Sequence, residues 1–286
     1  MMDWVNRMQA ALDYIEANLT NDLSVEQVAA VTNTSSFHFQ RMFAMLCDVT
    51  VAEYVRRRRL TMAAKDLLTT GDGITDIAAR YGYETQASFT RAYVRLHGVS
   101  PGKTRSMANG IAAYPPLRFT LSIKGDRAVD YRVEKKPGFR LIGKEWRVST
   151  RDGENFRVIP GYWDQTVKDG TLAALMEHAK ADGLFRGSCL GIATDVDFAA
   201  ETLTYIIGVE SDSTDLLERW VGRSFEPATY AVFAGEGKDG SAIQGTIKRV
   251  FQEWFPATSY EHTSGPEVEV YLDQTHHEFW VPVKTA

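Results

Sequence analysis

Apolar residues near the start of the chain recur at intervals of three and four, which predicts one face of an amphipathic helix. They are Val5, Met8, Leu12, Ile15 and Leu19. Asn21 and Asp22 interrupt this pattern. Ser24 follows, with Gln27 three residues later, and this spacing predicts a capping box at the start of a second helix.

The first hundred residues contain an internal repeat. The segment VEQVAAVTNTSSFHFQRMF at 25–43 aligns with ITDIAARYGYETQASFTRAY at 74–93, first at an offset of 49 residues and then, after one insertion, of 50. Each copy predicts a short helix, a turn and a second helix. Asn33 and Gly82 fall at the two turns, where positive φ is expected. Ser35 or Ser36 in the first copy and Thr85 in the second are candidate N-caps.

These are the parts of two helix-turn-helix units, so an all-α double helix-turn-helix domain is expected. The second helix of each unit, at about 36–46 and 85–96, should enter the major groove of DNA. The outward-facing candidates for DNA contact are Ser36, Phe37, Gln40 and Arg41 in the first helix, and Gln86, Ser88, Thr90 and Arg91 in the second. Gln and Arg can pair bidentately with base edges. A merely solvated face is the alternative, and two matched units favour DNA contact.

A longer helix, at about 51–69, is predicted between the two units as a rigid spacer. It carries a run of four arginines at 56–59. Some of these arginines are expected to contact phosphates or to brace the domain, and a solvated helix face is an equal alternative.

The pattern changes from helical to alternating after a segment rich in small residues and proline. We expect a boundary at 108–116, with one domain at 1–107 and a second at 117–286. The strands predicted in the second domain lie at 117–123, 131–134, 139–148, 189–194, 203–209, 226–235, 267–272 and 277–283. Helices are predicted at 154–180, with a break near Pro160, and at 241–255. This order is a strand–helix–strand–strand unit repeated twice, which predicts an α+β domain with an antiparallel sheet.

Charge separates the two halves of this 286-residue chain of net charge −5. Residues 1–108 hold 12 basic and 11 acidic side chains, and residues 109–286 hold 20 and 26. The acidic half is a poor candidate for binding phosphate backbones. No apolar run approaches a membrane span and no signal peptide is evident, so a cytoplasmic protein without membrane contact is expected. Cys47 and Cys189 show no pairing pattern.

A candidate ligand site lies in the strand at 267–272. Its apolar face, Val268, Val270 and Leu272, is expected to pack on helices, which leaves Glu267, Glu269 and Tyr271 on the other face. Trp280 on the next strand is expected beside Glu269. A carboxylate among aromatic rings suits a cationic aromatic ligand, and Glu269 is the expected charge partner. The alternative is that this is simply the solvated face of the sheet.

Other candidates in this half carry weaker signals. Tyr205 and Tyr230 lie on predicted strands and could point to either face. His276 and His277 suggest a metal, but neighbouring strand residues point to opposite faces and no further ligands have suitable spacing. No metal, cofactor or catalytic residue is therefore expected.

The motifs HFQRMF, YVRRRRLTMAAKDLL and ITDIAARYGYETQASFTRAYVRLHGVSPGKTR resemble the DNA-binding domain of AraC/XylS-type regulators over residues 5–106. The resemblance implies seven helices, with two recognition helices in successive major grooves of double-stranded DNA. It also implies that Phe37, Gln40 and Arg41, and likewise Gln86, Ser88, Thr90 and Arg91, contact DNA. Some such regulators also contact RNA polymerase.

The segments ATYAVFAGEG, IKRVFQEWFPATSYEHTSGPEVEVY and HEFWVPV resemble GyrI-like effector-binding domains, which also occur in multidrug-sensing regulators. This resemblance spans 117–284. It implies a groove between the two repeats that binds bulky, apolar, often cationic small molecules beside a glutamate and aromatic rings. Trp163 matches a position that the family often fills with an aromatic lining residue, and helix-to-sheet core is the alternative.

Three functions follow from these expectations. The first is a transcription regulator that binds DNA and a small-molecule effector. The second is hydrolysis of a reactive small molecule, with Glu269 as a general base beside Tyr271 and Trp163. The third is binding of a protein partner, such as a topoisomerase, by the second domain.

Overall fold

The computed structural model describes residues 2–106, 111, 113–119, 129–214, 216, 219–237 and 240–285. Its Cα positions group into two compact units. One comprises Met1–Phe39 with Val51–Ser122, and the other comprises Gln40–Thr50 with Ile123–Ala286. Residues 108–110 and 112 of the expected boundary segment lie outside the described residues.

The N-terminal part of the chain is helical, as its sequence predicts. The helices are α1 (Met2–Ala17), α2 (Val25–Thr32), α3 (Ser36–Cys47), α4 (Val51–Thr69), α5 (Ile74–Arg80), α6 (Gln86–His97) and α7 (Pro101–Thr104). Both second helices of the repeat, α3 and α6, lie within one or two residues of their predicted bounds. The double helix-turn-helix fold is confirmed.

Side-chain caps and left-handed residues set the ends of these helices. The Ser24 hydroxyl accepts from the backbone N–H of Gln27, and the Gln27 side chain accepts from the N–H of Ser24, so the predicted capping box is present. Thr85 caps α6 by accepting from Ser88. Asn33 has φ 55° and Gly82 has φ 80°, as the two predicted turns require.

The arginine run of α4 braces the first unit. The Arg58 guanidinium is buried and donates to the Glu16 carboxylate, with Nη2 and Oε2 2.7 Å apart. Arg59 donates to the backbone carbonyls of Leu19 and Asn21. These contacts join α4 to α1 and to the turn after it, which favours the bracing role over a solvated face.

The second unit is built on an antiparallel sheet, as its sequence predicts. Its strands are β1 (Arg132–Lys136), β2 (Phe139–Ser149), β3 (Cys189–Asp197), β4 (Thr202–Glu210), β5 (Val221–Phe225), β6 (Ala228–Glu236), β7 (Tyr260–His262), β8 (Glu267–Tyr271) and β9 (His276–Thr285). In the described part of the unit the strand order is β1-β6-β9-β8-β3-β4-β2-β5, and β7 pairs with β9. The α+β class is confirmed.

Helices follow the first strand of each repeat. They are α8 (Glu154–Lys168) and α9 (Thr171–Met176) after β2, and α10 (Gly240–Arg249) after β6. A π-helical turn at Val250–Trp254 and α11 (Phe255–Ala257) continue α10. The two strand–helix–strand–strand units, β2-α8-β3-β4 and β6-α10-β8-β9, meet where β3 pairs with β8.

Two local predictions in this half need correction, and two short strands were not predicted. The helix break expected at Pro160 is wrong, because α8 continues through Pro160 and ends before Gly170, whose φ is 77°. A proline removes one backbone hydrogen bond, whereas a left-handed glycine redirects the chain. The short strands β5 and β7 were not predicted. Leu117 and Phe119 are not in a strand, and Leu121 and Ile123 lie outside the described residues.

The two faces of the sheet differ in what covers them. One face carries Val268, Val270 and Trp280 in a buried cluster with Phe185. On the other face Leu203, Tyr205 and Ile207 pack against α8. The expectation that the Val268 face packs on helices is therefore wrong, since α8 covers the face that carries Tyr205.

Candidate functional site

Four polar and aromatic side chains converge at the centre of the sheet. The hydroxyls of Tyr205 and Tyr271 donate to the same oxygen of Glu269, Oε2, at 2.8 and 2.9 Å. The indole N–H of Trp163, from α8, donates to the Tyr205 hydroxyl at 2.9 Å. The structure therefore brings together Glu269, Tyr205, Tyr271 and Trp163, four of the six residues expected at a ligand site.

Gly191 makes this convergence sterically possible. It lies opposite Glu269 in the β3–β8 register. A Cβ atom at Gly191 would lie 2.3 Å from the Tyr205 hydroxyl, 2.8 Å from Glu269 Oε2 and 3.1 Å from the Trp163 ring. Any side chain here would displace the hydroxyl, the carboxylate or the indole. Gly191 was not predicted as a site residue, although a glycine inside an apolar strand signals a close approach of other groups.

A cavity of about 450 Å³ opens above Glu269. Its apolar walls come from both repeats and include Phe156, Ile159, Leu203, Ile243 and Ile247. Polar lining groups include Asp164, Gln244, Asp273 and His277, and the paired side chains of Arg41 and Glu267 also line the cavity. This volume lies within the range of small-molecule sites, which are largely apolar with a few placed polar groups.

Burial dominates the electrostatics of Glu269. Burial raises the pKa of the Glu269 carboxyl to about 7, although the hydrogen bonds from Tyr205 and Tyr271 oppose this rise. Burial and the nearby carboxylate also hold the pKa values of both tyrosine hydroxyls far above their ordinary range, so both remain proton donors. A cation in the cavity would favour the ionised form of Glu269.

Glu267, two residues earlier on the same face, has a different environment. Burial would raise the pKa of its carboxyl, but Arg41 and His262 outweigh this effect and lower the pKa to about 2. His262 Nε2 lies 2.9 Å from Glu267 Oε1. Glu267 is therefore a paired carboxylate, whereas the hydrogen bonds that Glu269 receives within the described residues come from neutral hydroxyls.

Trp280 and Tyr230 lie elsewhere than expected. In the β8–β9 register Trp280 pairs with Val268, and Glu269 pairs with Phe279. Trp280 and Tyr230 therefore belong to the buried cluster on the opposite face, where their rings are 5.7 Å apart. The placement of Trp280 beside Glu269 is corrected by this register, which the alternation of one strand cannot reveal.

His276 and His277 point to different surroundings. His276 Nδ1 lies 2.8 Å from Asp273, and His277 Nε2 lies 3.0 Å from the Thr246 hydroxyl. Within the described ranges, no group of three or more His, Cys, Asp or Glu residues has the arrangement of a metal site.

The DNA contacts expected in the first helix-turn-helix copy lie on α3. Ser36, Phe37, Gln40 and Arg41 are all half-buried. The Ser35 hydroxyl accepts from the N–H of His38 and begins the helix. Residues 40–50 group with the second unit, and within it the Arg41 guanidinium is paired with Glu267.

The corresponding residues of the second repeat lie on α6. Gln86 and Arg91 are exposed, and Ser88 and Thr90 are half-buried. The Gln86 side chain accepts from Thr75, whereas Arg91 makes no side-chain hydrogen bond or ion pair within the part of the chain that the structure describes. DNA contact by these residues stays a prediction.

Two family models match the chain. A helix-turn-helix domain matches residues 8–107, and the integron-associated effector binding protein family matches residues 132–283, which is more than half of the chain. Among the residues that the structure describes, no helix is long and apolar enough to cross a membrane.

Similar proteins include several named transcription regulators. The chain is 32% identical over 188 residues to the uncharacterized HTH-type transcriptional regulator YbfP of Bacillus subtilis, covering 63% of this chain and 59% of that relative. It is 38% identical to the transcriptional activator AarP of Providencia stuartii, covering 35% of this chain and 73% of AarP. It is 36% identical to the multiple antibiotic resistance protein MarA of Escherichia coli, covering 34% of this chain and 77% of MarA.

One solved structure similar to the C-terminal part is SAV2435 bound to tetraphenylphosphonium. It has 20% sequence identity and a TM-score of 0.48, and the match covers 54% of this chain and 94% of that one.

Proposed function

Because the chain belongs to the AraC-type helix-turn-helix transcription regulators and carries an effector-binding domain of the integron-associated family, we propose that its effector is a bulky aromatic cation held at Glu269. The boundary proposed between these parts is 108–116. The DNA contacts proposed are the eight residues of α3 and α6, and Arg41 would have to leave its ion pair with Glu267 to reach a base.

The observation that supports this proposal is a buried carboxylate that lines a largely apolar cavity and has no cationic partner among the described residues. The Arg41 guanidinium lines the same cavity but is paired with Glu267. Glu269 receives two hydroxyl hydrogen bonds on one oxygen, which orient it but leave its charge uncompensated. Leaving such a charge buried is costly, and a bound cation offsets that cost. The aromatic rings of Trp163 and Tyr271, 4.9 Å apart, add stacking and cation–π attraction.

Shape-matched ions of opposite charge test this proposal. Tetraphenylphosphonium and tetraphenylborate have nearly the same size and apolar surface, so their difference in affinity isolates the sign of the charge. Titration calorimetry of the full chain at pH 8 should show saturable binding of the phosphonium and at least about tenfold weaker binding of the borate. Equal affinities, or tighter binding of the borate, would contradict a cation site.

The cavity also favours a small-molecule ligand over the protein partner considered above, because its polar groups lie in a concave apolar enclosure. Contact with RNA polymerase has no specific observation in its favour.

Hydrolysis of a reactive small molecule is a second candidate, because Glu269 and Tyr271 line the cavity together and burial raises the pKa of Glu269 to about 7. A general base works best when its pKa lies near the working pH. Incubation with aryl epoxides and activated esters tests it. Multiple turnovers that disappear in Glu269→Gln would support catalysis, and stoichiometric binding without product would exclude it for these substrates.

A further inference from the structure

A second polar group lines the same cavity and takes no part in the Glu269 cluster. His277 on β9 is buried, with 4% of its surface exposed, and lies among the lining residues. Its Nε2 atom is 3.0 Å from the hydroxyl of Thr246 on α10. This pair belongs to the second repeat, whereas Trp163 and Tyr205 belong to the first.

The backbone is shaped to hold this ring. Gly235 of β6 lies opposite His277 in the β6–β9 register. A Cβ atom at Gly235 would lie 2.2 Å from His277 Nε2 and 2.6 Å from the Thr246 hydroxyl. Gly235 thus clears space for His277 and Thr246 in the way that Gly191 does for Glu269.

The surroundings of Thr246 favour one tautomer of His277. The Thr246 hydroxyl lies 3.3 Å from the Ala242 carbonyl, to which it can donate its single proton. In that arrangement it accepts from His277, so that Nε2 carries the proton and Nδ1 keeps its lone pair. Within the described part of the chain no hydrogen bond to His277 Nδ1 is present, so this atom is an available acceptor.

His277 lies close to the proposed cation site. It is the cross-strand partner of Tyr271, whose hydroxyl donates to Glu269. Glu269 is then the diagonal neighbour of His277, at about 7–8 Å between Cα atoms. A single aromatic ligand spans this distance.

The ring of His277 is neutral near pH 7. Burial, and to a smaller extent the neighbouring His276, lower the pKa of His277. A neutral ring accepts a hydrogen bond and does not repel a cation at Glu269.

We propose that His277, positioned by Thr246 and Gly235, is a second recognition point that accepts a hydrogen bond from the effector. The effector is then an aromatic cation that carries an N–H or O–H donor beside its charge. This inference rests on the proposed cation site at Glu269.

Two matched dyes test the inference on the full chain. Proflavine is a planar aromatic cation with two amino groups, and acridine orange is the same ring system with the amino hydrogens replaced by methyl groups. Affinities for both dyes are measured at pH 8 by fluorescence titration, for wild type, His277→Phe, Thr246→Val and Glu269→Gln. Circular dichroism checks that each variant is folded.

We expect His277→Phe to weaken the binding of proflavine about tenfold and the binding of acridine orange less than about twofold. Thr246→Val should weaken proflavine by a smaller factor, because the tautomer is no longer fixed. Glu269→Gln should weaken both dyes. An equal effect of His277→Phe on both dyes would overturn the inference while the cation site stands. Indifference of both dyes to Glu269→Gln, or no binding of either dye, would overturn the cation site and the inference together.

Discussion

Glu269 and Gly191 face each other across the β3–β8 pair that joins the two repeats, and the missing side chain of Gly191 is the space in which the Glu269 carboxylate meets two tyrosines. The site therefore depends on a glycine in the first repeat and on a carboxylate in the second.

Gly191→Ala should weaken binding of tetraphenylphosphonium by about tenfold or more, because its Cβ would overlap the Tyr205 hydroxyl and Glu269. Calorimetric titration measures the loss. Gly161→Ala on α8 is the matched control, since nothing lies within 4 Å of a Cβ at that position. Equal binding by wild type and Gly191→Ala would contradict the described packing of the site.

Cation affinity should depend on pH through Glu269. Its pKa of about 7 in the folded protein is raised above the ordinary value, so the carboxyl is largely neutral below pH 7 and ionised above it. A cation prefers the ionised form and releases a proton on binding. Affinity should therefore rise by up to tenfold per pH unit below about pH 7 and level off above about pH 8.

The same raised pKa lowers the stability of the ligand-free protein as the pH rises. The contribution of Glu269 to stability is fully present below its unfolded pKa and is lost as pH rises through about 7, because a buried charge then forms. Glu267, whose pKa is lowered to about 2, stays ionised throughout this window. Binding titrations of wild type and Glu269→Gln between pH 6 and 9 test the affinity, and thermal unfolding of both proteins between pH 4 and 9 tests the stability. The variant should lose the pH dependence of cation affinity. A wild-type affinity that does not change from pH 6 to 8 would contradict the role of Glu269 in cation binding.

Arg91 provides the test of DNA contact. It is exposed on α6, and a bidentate contact to a base edge contributes about 1–3 kcal/mol of discrimination. Arg91→Ala should weaken binding to a duplex selected by the wild-type protein from a random-sequence pool by about tenfold or more. Arg80→Ala is the charge-matched control, because Arg80 is already paired with Asp66 and Asp72. Equal losses in the two variants would argue against a specific contact by Arg91.

The Glu16–Arg58 pair should stabilise the first unit. Glu16→Gln leaves the buried Arg58 guanidinium without its counter-charge, which costs about 2–3 kcal/mol. Amide hydrogen exchange in α1 and α4 should become roughly thirtyfold faster or more. Asp72→Asn, which removes an exposed partner of Arg80, should change exchange little. Unchanged exchange in Glu16→Gln would show that the arginine run does not brace these helices.

Sequence patterns predicted the first unit well because its signals are local. The capping box at Ser24 and Gln27 and the left-handed turns at Asn33 and Gly82 depend on residues only a few positions apart. The internal repeat strengthened the prediction further, because each helix-turn-helix copy supported the assignment of the other.

The ligand site was only partly predictable because it depends on strand register. Alternation placed Glu269 and Tyr271 on one face, but it could not show that Phe279, rather than Trp280, lies beside Glu269. The role of Gly191 likewise follows from residues far along the chain. Pro160 misled the helix prediction because tertiary packing of α8 tolerates the loss of one hydrogen bond.

Calorimetry at pH 8 tests the cation site by comparing the affinity of full-length Glu269→Gln and Glu278→Gln for tetraphenylphosphonium with that of wild type. Both variants remove one negative charge, but Glu278 lies on the opposite sheet face, bonded to Trp280. The cation site predicts a loss of at least about tenfold in Glu269→Gln, about 1.4 kcal/mol, and little change in Glu278→Gln. Equal affinity in Glu269→Gln and wild type would contradict a cation site at Glu269.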